Sequence, residues 1–293
     1  MKQLLILSGK GGTGKTTIAS AFIKLAKANV YADCDVDAPN LHLIMTETVK
    51  PLRKDYFGMP KAKIDPECCL NCGKCMEHCM FNSIIADGKT HSVDPFACEG
   101  CGVCEFVCPV GAVSMKDYVA GDLMLFKDEQ KVFSTAQLKM GNGTTGLLVS
   151  EVKKQMKKEA KKDADLAIID GSPGIGCPVI ASLSGVDMVL IVAEPSVSGI
   201  SDMDRVIQVA RKFGTQIAVC INKSDTNNEK SKEIQAFCVT ESIPFVGNIP
   251  FDRLAVKAVN SGLSIIEIDC PSGTAVRDVY KKTMHILFSD GGR

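Results

Sequence analysis

The sequence predicts an α/β protein, a mostly parallel sheet with helices on both faces, interrupted by a small α+β insert. Three observations lead there. Apolar runs at 3–7, 29–33, 165–170, 187–193, 217–222 and 244–248 alternate with helical stretches, the order that builds a parallel sheet through crossover connections. The first run passes straight into a glycine-rich turn, SGKGGTGKTT, and then an amphipathic stretch, which is the strand–turn–helix setting of a phosphate loop. Two cysteine-rich runs, CCLNCGKCMEHCM at 68–80 and CEGCGVCEFVCP at 98–109, break the alternation and put an insert at 60–116, with 1–59 and 117–293 as the parent unit.

The apolar run in the opening MKQLLILSGKGG is too short for a secretory signal and reads as the first strand. In the turn that follows, Gly9, Gly11, Gly12 and Gly14 let backbone N–H groups curl around phosphates, and the start of the helix adds a favourable dipole. The match to G-x-x-x-x-G-K-T assigns Lys15 to the β- and γ-phosphates and Thr16 to a magnesium ion. Gly11, Gly12, Thr13, Gly14, Lys15, Thr16 and Thr17 are the expected phosphate-binding residues. The second run ends in ADCDVDAPN, which brings Asp33, Asp35 and Asp37 together.

Segment 117–140 is expected to return as a hairpin to the parent sheet, followed by the glycine-rich connection KMGNGTTG. From 147 to 162 a helix sets Leu148, Val152, Met156 and Ala160 on one face. Lys153, Lys154, Lys157, Lys158, Lys161 and Lys162 form a solvated stripe on another. The run DLAIID ends in Asp170, a carboxylate at the carboxyl end of a strand, where α/β sheets bind ligands. Gly171, Pro173 and Gly174 then make a turn suited to sensing a γ-phosphate. IAVCINKSD sets Asn222 and Lys223 after another apolar run, and NKSD also fits N-K-x-D, a pattern that reads guanine through its aspartate, here Asp225. The C-terminal TAVRDVYKKTMHILF has an apolar face without the strongly basic composition of a membrane-surface anchor, so it reads as packed on the parent unit.

Composition narrows the class. Lys+Arg and Asp+Glu balance at 34 each, which gives no electrostatic footprint for nucleic acid. Apolar residues make up 45% and charged residues 23%, with no uncharged apolar stretch of about 18 to act as a transmembrane segment. The 14 cysteines suit a reducing, cytoplasmic setting.

Both cysteine runs carry C-x-x-C-x-x-C-x-x-x-C. Three closely spaced thiolates on one loop can hold three corners of a cubane, and a fourth must arrive from elsewhere. C-x-x-C pairs also bind structural zinc, although two complete runs of four are an odd way to supply it. The runs resemble those of two-cluster bacterial ferredoxins, in which the last cysteine of each run serves the other cluster. That resemblance implies a ferredoxin-type α+β domain holding two 4Fe-4S clusters, one on Cys69, Cys72, Cys75 and Cys108 and the other on Cys98, Cys101, Cys104 and Cys79. Gly73 and Gly102 occupy equivalent loop positions, Pro109 follows the last ligand as in the pattern, and Met80 departs from it. Cys68 lies off the comb. Cys34, Cys177, Cys220, Cys238 and Cys270 read as buried neutral thiols, and His42, His78, His91 and His285 form no ligand set.

The parent unit resembles the P-loop ATPase superfamily of MinD, ParA, Mrp and the nitrogenase iron protein. Its mark is Lys10, the second residue of GKGGTGKT. By resemblance Lys10 reaches a partner's nucleotide when two protomers sandwich ATP, which implies an ATP-dependent homodimer. The same resemblance gives Asp33 and Asp170 to the magnesium site and Asp35 to the attacking water, with Asp37 leaving that division open. Lys10, Lys15 and Asp35 are then the catalytic set. It also sets Asn222 against adenine and the backbone near Pro250, in FVGNIPFDRLAVKAVNSG, over the base. That favours ATP, while Asp225 keeps GTP open. The function implied is an ATPase that couples nucleotide-dependent dimerisation to electron transfer through the clusters. A metallocluster assembly or carrier ATPase and a redox-sensing positioning ATPase are the alternatives, and the first two imply a redox or metallocluster partner protein.

Overall fold

The computed structural model describes residues 1–45, 49–86, 88 and 90–289. The parent unit begins with β1 (Lys2–Leu7), α1 (Lys15–Ala26), β2 (Val30–Asp33), α2 (Leu41–Met45) and β3 (Leu52–Phe57). The insert follows with β4 (Lys61–Ile64), α3 (Lys74–Glu77), β5 (Ile84–Ala86), β6 (His91–Val93), α4 (Val103–Phe106) and β7 (Val113–Lys116). The chain returns through β8 (Val119–Lys127), β9 (Val132–Leu138), α5 (Thr145–Glu159), β10 (Leu166–Asp170), α6 (Cys177–Leu183), β11 (Met188–Ala193) and α7 (Val197–Lys212). It ends with β12 (Gln216–Asn222), a 3₁₀ turn (Ser224–Thr226), α8 (Asn228–Thr240), β13 (Phe245–Ile249), α9 (Arg253–Asn260) and α10 (Pro271–Phe288).

Nine strands form one sheet in the order β13-β12-β11-β1-β10-β2-β9-β8-β3. Pairing is parallel from β13 through to β9 and antiparallel for β9–β8 and β8–β3. Strands with helices on both faces read as nearly continuous apolar runs, and KQLLIL shows why. Leu4 and Ile6 face a core built with Ile18 and Phe22 of α1 and Val276 and Val279 of α10. Leu5 and Leu7, one residue out of phase, face a second core built with α5, α6, α7 and α8. The hairpin expected at 117–140 is β8–β9, and α10 packs on the sheet through Val276, Val279, Thr283 and Leu287.

Two features depart from the sequence reading. β3 is an edge strand whose LRKDYF is exposed at every position except Tyr56, so it lacks the apolar run that marks the interior strands. The lysine stripe on α5 is broken by Lys153, which is buried. Its ammonium donates to the carbonyls of Ala181 at 3.3 Å, Ser182 at 2.5 Å and Ser184 at 2.6 Å. Three donors thus meet the three carbonyls at the end of α6. Burial pushes its pKa down to about 8, which leaves it protonated at neutral pH. Lys161 and Lys162 lie beyond the end of the helix.

The insert carries two antiparallel pairs, β4–β7 and β5–β6. Within it, a Cβ at Gly100 would lie 2.3 Å from the Pro60 carbonyl, and it meets the parent unit at Gly141, where a Cβ would lie 2.8 Å from the Phe96 ring. Just along the chain, a Cβ at Gly146 of α5 would lie 3.1 Å from Cys177, which opens α6. Contacts therefore run from the second cysteine run through the 139–146 segment to the turn after Asp170.

Replacing Lys153 by methionine keeps its apolar stem but strands buried carbonyls. We expect Lys153→Met to lower unfolding free energy by about 2 kcal/mol in a denaturant titration, whereas Lys157→Met, on the exposed face, should change it by no more than about 0.5 kcal/mol.

Candidate nucleotide site and cysteine cavities

The phosphate loop joins β1 to α1 at the carboxyl edge of the sheet, beside the point where the strand order reverses around β1. Gly14 caps α1 with φ of 91°, and a Cβ there would lie 2.2 Å from the Asn222 amide, so the position requires glycine. Asn222 Nδ2 donates to the Thr13 carbonyl at 2.7 Å, and Lys223 Nζ donates to the Gly12 carbonyl at 2.9 Å. The end of β12 thereby fixes the orientation of two loop peptides.

Three charges meet beneath the loop. Asp33 and Asp170 end adjacent parallel strands in register, both fully buried, and Lys15 Nζ lies 2.6 Å from Asp170 Oδ1. Burial pulls the Lys15 ammonium down, but Asp170, Asp33 and Asp35 outweigh it and raise its pKa. Burial and the neighbouring Asp170 push Asp33 up to about 7 against Lys15 and the backbone N–H groups of Leu41 and Asp35. Asp33 Oδ1 accepts the N–H of Asp35, and Oδ2 accepts those of Asn40 and Leu41, each at 3.0 Å. This carboxylate therefore organises the D-x-D loop. Asp170 Oδ2 is buried without a hydrogen-bond partner among the described residues. An orphaned carboxylate oxygen beside a phosphate loop is the donor a hydrated magnesium ion needs.

Two cavities share Gly12, Gly14 and Thr17. One, of about 300 Å³, is polar and bounded by Gly11, Thr13, Lys15, Thr16, Asp35, Asn40 and Pro173. The other, of about 310 Å³, is mainly apolar and bounded by Asn222, Pro250, Phe251, Val256, Val259 and Ile265 among others. Together they give a polar end for phosphates and an apolar slot for a base. Asp225 is exposed, and its Oδ1 accepts the Phe251 N–H at 2.6 Å, which ties it to the slot's loop.

Lys10 is held within its own chain. Its Nζ lies 2.8 Å from Glu194 Oε2 and within hydrogen-bond reach of the Ser196 and Ser198 hydroxyls at 3.3 and 3.2 Å. Glu194 also pairs with Lys223 at 3.3 Å. Although burial opposes it, these two lysines hold the Glu194 carboxyl below its ordinary range. The sequence reading passed over Glu194; the available signal was a carboxylate just beyond the apolar strand β11, at the ligand-binding edge.

In the insert, Cys69, Cys72, Cys75 and Cys108 line one cavity, and Cys79, Cys98, Cys101 and Cys104 line another. Among the described residues no three His, Cys, Asp or Glu side chains converge as a single-ion site requires. The thiols instead surround spaces walled by Ile64, Leu70, Pro109 and Val110 in one case and by Phe81, Val103 and Met115 in the other. Backbone N–H groups from Val110 to Val113 pull the Cys108 thiol down. Cys79 is also pulled down despite burial, by the Ser83 hydroxyl and nearby backbone N–H groups. Burial raises Cys75 and Cys104. The last thiol of each run is thus the one biased toward thiolate by backbone donors. Cys34, Cys220, Cys238 and Cys270 are buried as expected, but Cys177 is exposed. It is the first residue of α6, where Gly146 occupies the space next to its Cβ and leaves its sulfur at the surface.

A parallel sheet with a glycine-rich loop, a buried lysine and two strand-end carboxylates defines a P-loop nucleotide-binding protein. The model of the CobQ/CobB/MinD/ParA nucleotide-binding domain matches residues 4–265, and the chain belongs to that family of ATPases. An uncharacterized protein of Methanocaldococcus jannaschii is 31% identical over 290 residues, covering 97% of each chain. An iron-sulfur cluster carrier protein of Pyrococcus horikoshii is 24% identical over 314 residues, covering 99% of this chain and 89% of its own. Among solved structures, MinD of Pyrococcus horikoshii complexed with Mg-ADP has a TM-score of 0.58 at 16% identity, covering 100% of this chain and 99% of its own. No helix among the described residues is long and apolar enough to cross a membrane.

The raised Asp33 fixes a sign. Its contribution to the stability of the nucleotide-free protein is fully present below the ordinary 3.8 and is lost as pH rises through about 7. A magnesium ion brought next to this carboxylate favours its ionised form, so binding of Mg²⁺–ATP near neutral pH should release a proton. Calorimetry in buffers of different ionisation enthalpy reads this directly, and affinity should fall by up to about tenfold per unit as pH drops below about 7. Asp33→Asn should abolish both effects.

Proposed function

We propose that this protein is an ATPase that couples nucleotide-dependent pairing of two copies to electron transfer through two 4Fe-4S clusters. The observation that carries this reading is the crossed grouping of thiols. Cys108 lies with Cys69, Cys72 and Cys75, and Cys79 lies with Cys98, Cys101 and Cys104, around two separate spaces. Four thiolates around a small, largely apolar space are the donor set of a cubane cluster. These residues would hold one cluster each, and a bound cluster supplies one-electron transfer.

At the nucleotide end, Thr16, Asp33 and Asp170 would serve a magnesium ion, which supplies charge neutralisation on the phosphate oxygens. Lys15 would turn from Asp170 to the β- and γ-phosphates, leaving that carboxylate to hold the ion. Asp35, at the rim of the polar cavity, orients the attacking water for hydrolysis of ATP to ADP and phosphate. Lys10 leaves Glu194 to reach the nucleotide of a second copy. Asn222 and the loop at Pro250 hold the base, and Asp225, tied to Phe251, supports adenine over guanine. The contacts from Phe96 through the 139–146 segment to Cys177 give the two ends a physical connection.

One observation favours a second reading. The iron-sulfur cluster carrier protein that matches 99% of this chain makes delivery of a cluster, rather than of an electron, the alternative. Anaerobically isolated full-length protein should contain about eight iron and eight sulfide per chain. ATP should change the rate at which the reduced protein passes electrons to an acceptor, and nucleotide affinity should differ between reduced and oxidised protein. Zinc in place of iron, or identical rates and affinities in all four states, would remove the electron-transfer reading. Release of iron and sulfide to an apo-protein on ATP addition would establish the carrier.

Two variants test the nucleotide assignments. Lys10→Ala should keep ATP binding within about threefold but lose ATP-dependent dimers in light scattering, a loss of at least about 1.4 kcal/mol in pairing. Asp225→Ala should weaken ATP and GTP by similar factors, because it loosens the loop without removing a base reader; a selective loss of GTP would overturn the adenine assignment.

A further inference from the structure

Two buried polar side chains distinguish the cysteine cavities, and neither belongs to the comb. The insert is an internal repeat. Ile64, Asp65 and Pro66 precede the first run as Val93, Asp94 and Pro95 precede the second. Ile64 pairs with Val113, and Val93 pairs with Ile84. Within this repeat Ser83 corresponds to Ala112, each following the last cysteine of its run by four residues, and His91 corresponds to Ala62. In each case one half of the repeat carries a polar group where the other has only a methyl.

At Ala112 the backbone N–H points to Cys108 Sγ at 3.2 Å. At the corresponding place the Ser83 hydroxyl oxygen also lies 3.2 Å from Cys79 Sγ. A thiolate accepts and cannot donate, so with Cys79 ionised this hydroxyl must be the donor. Ser83 is 3% exposed, which keeps water from competing for it. His91 is 6% exposed and lines the cavity of Cys69, Cys72, Cys75 and Cys108. Its Nδ1 is buried without a hydrogen-bond partner among the described residues. A buried imidazole nitrogen is costly to leave unpaired, and the group that fills the cavity is the partner its position offers.

We propose that Ser83 and His91 each tune one cluster, Ser83 by donating its hydroxyl to the Cys79 thiolate and His91 by donating a ring N–H to a sulfur of the cluster on Cys69, Cys72, Cys75 and Cys108. The proposal rests on the reading that these cysteines hold 4Fe-4S clusters. Hydrogen bonds to cluster sulfurs favour the more negative, reduced state and raise the reduction potential. Each cluster therefore owes part of its potential to a donor that the other half of the repeat lacks.

The test is a potentiometric titration of the full-length, anaerobically isolated protein, followed by electron paramagnetic resonance. Ser83→Ala should lower one of the two midpoints and leave the other in place. His91→Leu should lower the other, and Ala112→Ser should raise the midpoint that His91→Leu lowers, because Cys108 and His91 share a cavity. If His91→Leu loses iron, His91→Gln, which keeps an N–H donor, should hold the parent midpoint. Ser83→Ala and His91→Leu moving the same midpoint, neither variant moving either, or a fall in His91→Gln would overturn the proposal in protein with full iron and sulfide. Parent protein without iron and sulfide would instead defeat the cluster reading on which it stands.

Discussion

The nucleotide half of this structure depends on one buried ion pair. Lys15 and Asp170 meet at 2.6 Å with almost no access to water, and Asp33 sits in register beside them. Charges so placed are tolerable only with close partners, and the sheet order supplies them. β10 and β2 must be neighbours for the carboxylates to lie side by side, and α1 must start above β10 for the lysine to reach them. The pair also sets the terms of ligand binding. In the proposed reading a polyphosphate would offer Lys15 an anion and its cation would offer Asp170 a counter-charge, so neither buried charge would be left without a partner.

The same logic extends outward in a second tier. Lys10 and Lys223 converge on Glu194, and Lys223 and Asn222 hold the carbonyls of Gly12 and Thr13. These contacts brace the loop's backbone, and a braced loop costs less to order around a ligand. Asp225 acts at the far end by fixing Phe251. The apolar slot and the polar cavity are both tied to the end of β12.

Much of this could be read from residue order. The interior strands are buried on both faces and announce themselves as unbroken apolar runs. The phosphate loop carries its requirement for glycine in plain view, as Gly14 against Asn222 shows. The spacing of the cysteines showed that three on one short loop need a fourth from elsewhere, and the resemblance to two-cluster ferredoxins implied which thiols would share a cavity. What the sequence hid depended on neighbours distant in the chain. β3 is charged because it lies at an edge. Lys153 belongs to a solvated stripe by periodicity, yet the end of α6 offers it three carbonyls. Cys177 looks like an ordinary core thiol until a helix start turns it outward. Asp225 satisfies a guanine pattern letter by letter, and nothing in residue order shows that one of its carboxylate oxygens accepts the Phe251 N–H.

The way the cysteine segment is rooted has a consequence of its own. It leaves the sheet at Phe57 and returns at Val119, which are paired residues of adjacent antiparallel strands, and the Gly58 N–H still reaches the Tyr118 carbonyl at 3.3 Å. The two ends are as near as those of a hairpin turn. A chain that closed this gap with a few residues would keep every strand of the large sheet and both of its cores. The segment is thus rooted in the sheet as a hairpin loop is, through one pair of neighbouring strands.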